Sequence, residues 1–303
     1  MISDSNRRTL LTPPKGMADL VLDTDAYNEI DDQFAISYAI GAGERINLKA
    51  FYAAPFLNER SKSPADGMEK SYLEIKKLLA LAGKNYPVCR GSSGYLSDEK
   101  TPCPSEAALD LTERAMGYTS EHPLYVASIG AITNIASALL LKPEISERIV
   151  VIWLGGNALH WPHNREFNCS QDVAAARVVF NSGAPLVLLP CMGTASAFTT
   201  TGPELDAWLS GKNSLCDYLV SNTKEAAEKY ARNRIWSRVL WDVTAIGWLM
   251  NEDEKLMLST LVPTPIPEYD HHYSQDFRRP LCSMVYHINR DALFADLVKH
   301  LTQ

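Results

Sequence analysis

The chain has 303 residues, 46% hydrophobic and 21% charged, with a net charge of −7. This is ordinary globular composition, long enough for one large α/β domain or two small ones. The acidic balance argues against a nucleic-acid backbone as main partner, and no apolar run reaches the roughly 18 residues needed to span a bilayer. The six cysteines are scattered, with no Cys-x-x-Cys pair, so neither a disulfide framework nor a zinc site is expected. Residues 1–17 form a polar arm with Arg7, Arg8, Pro13 and Pro14. It lacks the apolar core of a signal peptide, which predicts a cytoplasmic protein.

In chain order, the apolar run 20–22 predicts a buried strand that stops at Asp23. Asp25, Glu29, Asp31 and Asp32 follow, and then Phe34, Ala35, Tyr38 and Ala39 at helical spacing. Residues 46–54 predict a second strand, 59–67 a loop, and 68–82 a helix ended by Gly83. A short strand over 87–89 leads into a Gly-Ser loop, and 105–116 predict a helix. The strand 124–129 is broken by Gly130, and 133–141 continue as a helix. Residues 149–154 are an uninterrupted apolar run, of the kind a parallel sheet buries on both faces. Gly155 and Gly156 stop it, and a polar loop covers 157–170. Next come a helix over 172–181 and a strand over 186–189. Beyond Pro190 the pattern is mostly helical, over 203–209, 215–231 and 241–250. A strand over 256–262, a long surface loop over 263–279, a strand over 282–287 and a closing helix over 291–301 complete the chain. This alternation predicts an α/β fold: a mostly parallel central sheet flanked by helices, with helical additions in the C-terminal third and one continuous domain over 1–303.

Open α/β sheets bind ligands at the carboxyl ends of their strands. Five carboxylates crowd one such end, between Asp23 and Asp32, and repel one another. A hard cation with oxygen ligands, such as Ca2+, offsets that repulsion. Capping of the following helix explains Glu29, Asp31 and Asp32, but not Asp23 and Asp25. An EF-hand loop counted from Asp23 fails, because its sixth and twelfth positions hold Asn28 and Phe34. In a parallel sheet, Asn58, the turn at Ile129 and Gly130, the turn at Gly155 to Asn157, and the loop 160–168 share that edge. His160, His163, Asn164, Arg165, Glu166 and Asn168 in this loop suit a polyhydroxylated ligand or a plain solvated surface. Asp242, ahead of an apolar helical run, reads by itself as a helix N-cap.

Together these segments resemble the inosine–uridine-type nucleoside hydrolases. The resemblance is carried by DTD followed by DD at the first strand end, ITNIASALLLKPEI, the LGG turn, EFN followed by QDVAAARVVFNSGAPLVLLP, and the late Asp of WDVTAIGWLM. It runs from about Asp23 to Met250. It implies one Rossmann-like domain, a homodimer or homotetramer, one bound Ca2+, and hydrolysis of the N-glycosidic bond of a ribonucleoside to base and ribose. By position it implies Asp25 as metal ligand and general base. Asp32, Asp242 and the carbonyl of Ile129 would be further metal ligands. Asp31, Asn58, Asn164, Glu166 and Asn168 would hold the ribose.

Two departures from the family pattern stand out. The turn between DTD and DD is AYNEI, two residues longer than usual and without Gly, which brings Glu29 near the metal. Trp241 stands where many members have a His that assists the departing base; Trp can stack on a base but is no proton donor of that kind. His160 and His163 are the candidates for leaving-group help, with His271 and His272 further off. Two other readings remain at this point. One is a ribose-binding protein without turnover. The other is a haloacid-dehalogenase-like phosphatase, disfavoured by Tyr27.

Overall fold

The computed structural model describes residues 2–303. Its first half runs α1 (Asp4–Leu10), β1 (Ala18–Thr24), α2 (Asp31–Gly41), β2 (Ile46–Ala53), α3 (Pro64–Leu81), β3 (Val88–Arg90), α4 (Glu106–Ala115), β4 (Leu124–Ser128), α5 (Thr133–Leu141) and β5 (Ile149–Leu154). The second half runs α6 (Phe167–Gln171), α7 (Val173–Asn181), β6 (Leu186–Leu189), β7 (Thr199–Thr200), α8 (Gly202–Trp208), α9 (Ser214–Ala231), β8 (Arg238–Val239), α10 (Val243–Met250), β9 (Met257–Pro263), β10 (Ile266–Pro267), β11 (Tyr273–Ser274), β12 (Leu281–Ile288) and α11 (Arg290–Leu301).

Eight strands form one sheet in the order β3-β2-β1-β4-β5-β6-β12-β9. Every neighbouring pair is parallel except β12 with β9. The expected mostly parallel sheet with flanking helices is therefore present. The strand order reverses between β1 and β4, and a sheet of this kind opens a crevice at that reversal.

Helices cover both faces, so strand residues alternate between two apolar layers. In β5, Val150, Ile152 and Leu154 belong to one layer and Ile149, Val151 and Trp153 to the other. None of the six is more than 1% exposed. Burial of each aliphatic side chain contributes about 1.5–3 kcal/mol, which holds the strand ends, and hence the loops beyond them, in fixed positions.

Several segments differ from expectation, among them α6, which begins inside the expected loop 157–170, and the small antiparallel pair β7–β8. Helix α3 starts at Pro64, well before its apolar spacing begins, because Ser63 accepts from the Asp66 N–H at 3.1 Å and proline suits the first helical position. The polar arm contains α1, which docks through buried Arg7: its Nη2 donates to the Gly183 carbonyl at 2.6 Å. The segment 263–279 is not one long loop but carries the antiparallel pair β10–β11. Arg177 secures that pair by donating to the Pro267 carbonyl at 2.7 Å, and Tyr273 stacks on Phe180.

Candidate active site

The site begins where β1 runs out of apolar residues. Asp23 is fully buried and braces three elements: Ser128 Oγ donates to its Oδ2 at 2.8 Å, and Asn134 Nδ2 to its Oδ1 at 2.7 Å. It is thus a structural carboxylate, turned away from solvent. The next carboxylate, Asp25, is also buried, but its Oδ2 has no hydrogen-bond partner. The backbone turns immediately, with the Asn28 N–H donating to the Asp25 carbonyl at 2.7 Å. Helix α2 then opens with Asp31 and Asp32, which are 2% and 1% exposed. They lie in the first helical turn, yet capping alone does not account for two carboxylates held out of water. Thr24 Oγ1 donates to Asp32 Oδ1 at 2.5 Å.

Asp242 arrives from 210 residues further along. It occupies the N-cap position of α10 but makes no capping bond with its side chain. Instead, one carboxylate oxygen each from Asp31, Asp32 and Asp242 lie within 4.8 Å of one another. The N-cap reading of Asp242 therefore fails on geometry. Burial, reinforced by the neighbouring negative charges, pushes Asp25, Asp31 and Asp242 well above the usual carboxylate range. Burial also pushes Asp32 up to about 7.

The opposite wall comes from the ends of β5 and β6. Glu166 caps α6: its carboxylate accepts from the N–H groups of Asn168 (2.9 Å), Cys169 (2.9 Å) and Gly156 (2.7 Å). Burial nevertheless raises its pKa. The Asn168 amide bridges two strand ends, donating to the Ile129 carbonyl at 3.2 Å and the Leu154 carbonyl at 3.0 Å. Cys191, Met192, Phe167, Trp241 and Arg165 complete a cleft of about 260 Å³ that also includes Asn28, Glu29 and Asn157.

Of the residues singled out from the sequence, Asp25, Asp31, Asp32, Ile129, Glu166, Asn168, Trp241 and Asp242 all line this one cleft. Asn58, Asn164 and the four candidate histidines do not. Asn58 lies behind the wall, its Nδ2 donating to Asn28 Oδ1 at 2.6 Å, and it is Asn28 that reaches the cleft. Asn164 is buried among its own neighbours, with Oδ1 accepting from the Asn157 N–H at 2.7 Å and Nδ2 bonded to Cys169 Sγ at 3.2 Å. His163 faces its own loop, where Nδ1 accepts from the Arg165 N–H at 3.3 Å. His160 packs beside Gly193, and His271 and His272 sit against Ser170 and Asp270. Glu29 does not join the aspartates; it pairs with Arg238. Asn28, Phe167, Cys191 and Met192 escaped the sequence reading. The signal available for Cys191 and Met192 was their position just past β6, next to β5 in the sheet.

The site suits a divalent metal. Its donors are hard oxygens, several are buried carboxylates, and one buried oxygen of Asp25 is without a partner. Hard oxygen ligands select cations such as Ca2+, Mg2+ or Mn2+ over softer metals.

Comparison with known proteins agrees with this geometry. Residues 20–289 match the family model described as inosine-uridine preferring nucleoside hydrolase. The non-specific ribonucleoside hydrolase RihC of Escherichia fergusonii is 27% identical over 264 residues, 80% of this chain and 81% of that protein. The pyrimidine-specific ribonucleoside hydrolase RihB of Escherichia coli O1:K1 is 30% identical over 139 residues, 44% of each chain. The solved structure of the purine-preferring ribonucleoside hydrolase from Gardnerella vaginalis superposes with a TM-score of 0.76 at 20% identity, covering 94% of this chain and 98% of that one. With the family model spanning the sheet and every wall of the cleft, the chain is an N-ribosyl hydrolase of the inosine-uridine preferring nucleoside hydrolase family.

Proposed function

We propose that the protein hydrolyses the N-glycosidic bond of ribonucleosides or related N-ribosides in a Ca2+-dependent reaction, releasing the heterocycle and ribose. The observation that carries this reading is the convergence of four buried aspartates, Asp25, Asp31, Asp32 and Asp242, on one strand-end cleft, with Asp25 Oδ2 unpartnered. Asp25, Asp32, Asp242 and the Ile129 carbonyl would hold the cation. When bound, it supplies the positive charge that makes a water more acidic and binds vicinal hydroxyls.

The chain's own residues then do the following. Asp25, whose Oδ2 has no partner, accepts the proton of the attacking water. The water oxygen bonds to the anomeric carbon as the C–N bond breaks, and the electron pair leaves on the ring nitrogen. The sugar passes through an oxocarbenium-like state whose positive charge the surrounding carboxylates favour. Asp31 accepts from a ribose hydroxyl, while Glu166 and Asn168, fixed by main-chain bonds, hold the sugar. A cytoplasmic homodimer or homotetramer belongs to the same reading.

The test is release of reducing sugar from a panel of ribosides, with and without chelator. Calcium-dependent release supports the proposal. Silence across the panel from folded, calcium-loaded protein would overturn it in favour of ribose binding without turnover.

A further inference from the structure

Six carboxylates and one guanidinium line the cleft, and among the described residues no histidine does. This matters for the departing base. When the C–N bond of a neutral nucleoside breaks, the electron pair moves onto a ring nitrogen, and the base leaves as an anion unless a proton reaches it. General acids that supply such protons must lie within hydrogen-bond reach of the leaving atom.

Each group in the cleft able to hold such a proton is engaged. Glu166 accepts from three main-chain N–H groups, the pattern of a carboxylate. Glu29 accepts from the Arg238 guanidinium. Asp25, Asp32 and Asp242 are the carboxylates proposed to hold the cation, and Asp31 the one proposed to accept from a ribose hydroxyl. Burial and the neighbouring Glu166 charge push the Cys191 thiol well above its usual range, so it keeps its proton. What remains is Trp241, Phe167, Met192 and the exposed Arg165, together with side-chain amides. None of these is an acid: indole and amide N–H groups donate hydrogen bonds but not protons, and guanidinium keeps its proton.

We propose that the preferred substrate is a riboside whose heterocycle already carries a positive charge, such as a pyridinium or N-alkylated purinium riboside. This rests on the hydrolase reading above and narrows its substrate class. The step balances without a general acid. Water bonds to the anomeric carbon and gives its proton to Asp25. The C–N bond breaks, and its electron pair cancels the charge on the ring nitrogen. The products are ribose, a neutral heterocycle and one proton. Binding points the same way: the six lining carboxylates outnumber the two charges of a bound calcium ion and the one of Arg165, and the rings of Trp241 and Phe167 supply the aromatic surface to which cations are drawn.

The experiment compares kcat/KM for nicotinamide riboside, uridine and inosine on the calcium-loaded full-length protein. The expected result favours nicotinamide riboside by about 100-fold or more, the usual worth of a general acid the other two would lack. Its pH profile should rise to a plateau with no alkaline fall. Equal or faster turnover of uridine or inosine, or an alkaline limb in the profile, would overturn the inference while leaving the hydrolase intact. No ribose from any of the three would overturn the hydrolase reading itself.

Discussion

The Thr24 hydroxyl donates to Asp32 Oδ1 across 2.5 Å, tying the last residue of β1 to the first turn of α2. Thr24 is fully buried, so no water can replace it as the donor. Thr24→Val keeps the shape and removes the hydroxyl. A buried acceptor left unpaired costs about 1–3 kcal/mol, and loss of a bond that orients a metal ligand weakens metal affinity by about 10–100-fold. Calorimetric titration with Ca2+ checks this. Unchanged affinity would mean that helix α2 alone fixes Asp32.

Asp242 stands at an N-cap position without capping, so its two possible roles separate cleanly. Asp242→Asn retains the shape and loses one negative charge from the cluster. Calcium affinity should fall by about one to two orders of magnitude, because carboxylate charge sets Ca2+ affinity. The chelated protein should melt at the same or a higher temperature, since one buried repulsion is gone. A lower melting temperature in chelator would restore the capping role.

The cluster also predicts how stability responds to pH. Burial lifts Asp23 and Asp32 to about 7, and Asp25, Asp31 and Asp242 higher than ordinary carboxylates. In the unfolded chain all titrate near about 3.9. Between those values the folded protein binds more protons, so its stability is fully present below the unfolded value and is lost as pH rises through about 7. The melting temperature of the chelated protein should therefore be lower near neutrality than near pH ~5. Added Ca2+ should raise it more at neutral pH, where it meets ionised carboxylates. A chelated protein that melts higher at neutral pH would contradict this.

Much of the cleft was legible because its strands are apolar runs that stop abruptly, at Asp23, Gly130 and Gly155, and because a parallel sheet brings such stops to one edge. Asp25, Asp32 and Asp242 follow from that logic together with the family motif. Asn58 does not. Its place behind Asn28 depends on the turn 26–30, whose conformation is set by long-range partners: Asn58 itself, Arg60 donating to the Asn28 carbonyl at 3.1 Å, and Arg238 pairing with Glu29. No local spacing encodes pairings across 30 and 209 residues. Cys191 and Met192 were invisible for a different reason. Their side chains carry no chemical signature in a sequence, and only the adjacency of β5 and β6 brings them into the wall.

Gly130 gives the most local test of Asp25 as the base. It follows β4 at the point where the sheet order reverses, and its backbone passes close to the Asp25 side chain. A Cβ added there would lie 3.0 Å from Asp25 Cγ, 3.1 Å from its Oδ1 and 3.2 Å from Ala54 Cβ. Ala54 is fully buried and cannot retreat, so the carboxylate must move by a few tenths of an ångström. The φ of Gly130 is not in the left-handed region, so alanine brings no backbone strain with it. Small displacements of a reacting group are costly, up to about 100-fold in rate for roughly 1 Å. Gly130→Ala should therefore lower kcat by about tenfold, with KM changed less and the circular dichroism spectrum retained. Full activity in a folded Gly130→Ala protein would show that the position of the Asp25 carboxylate does not limit the reaction, and the base would have to be sought among Asp31, Asp32 and Asp242.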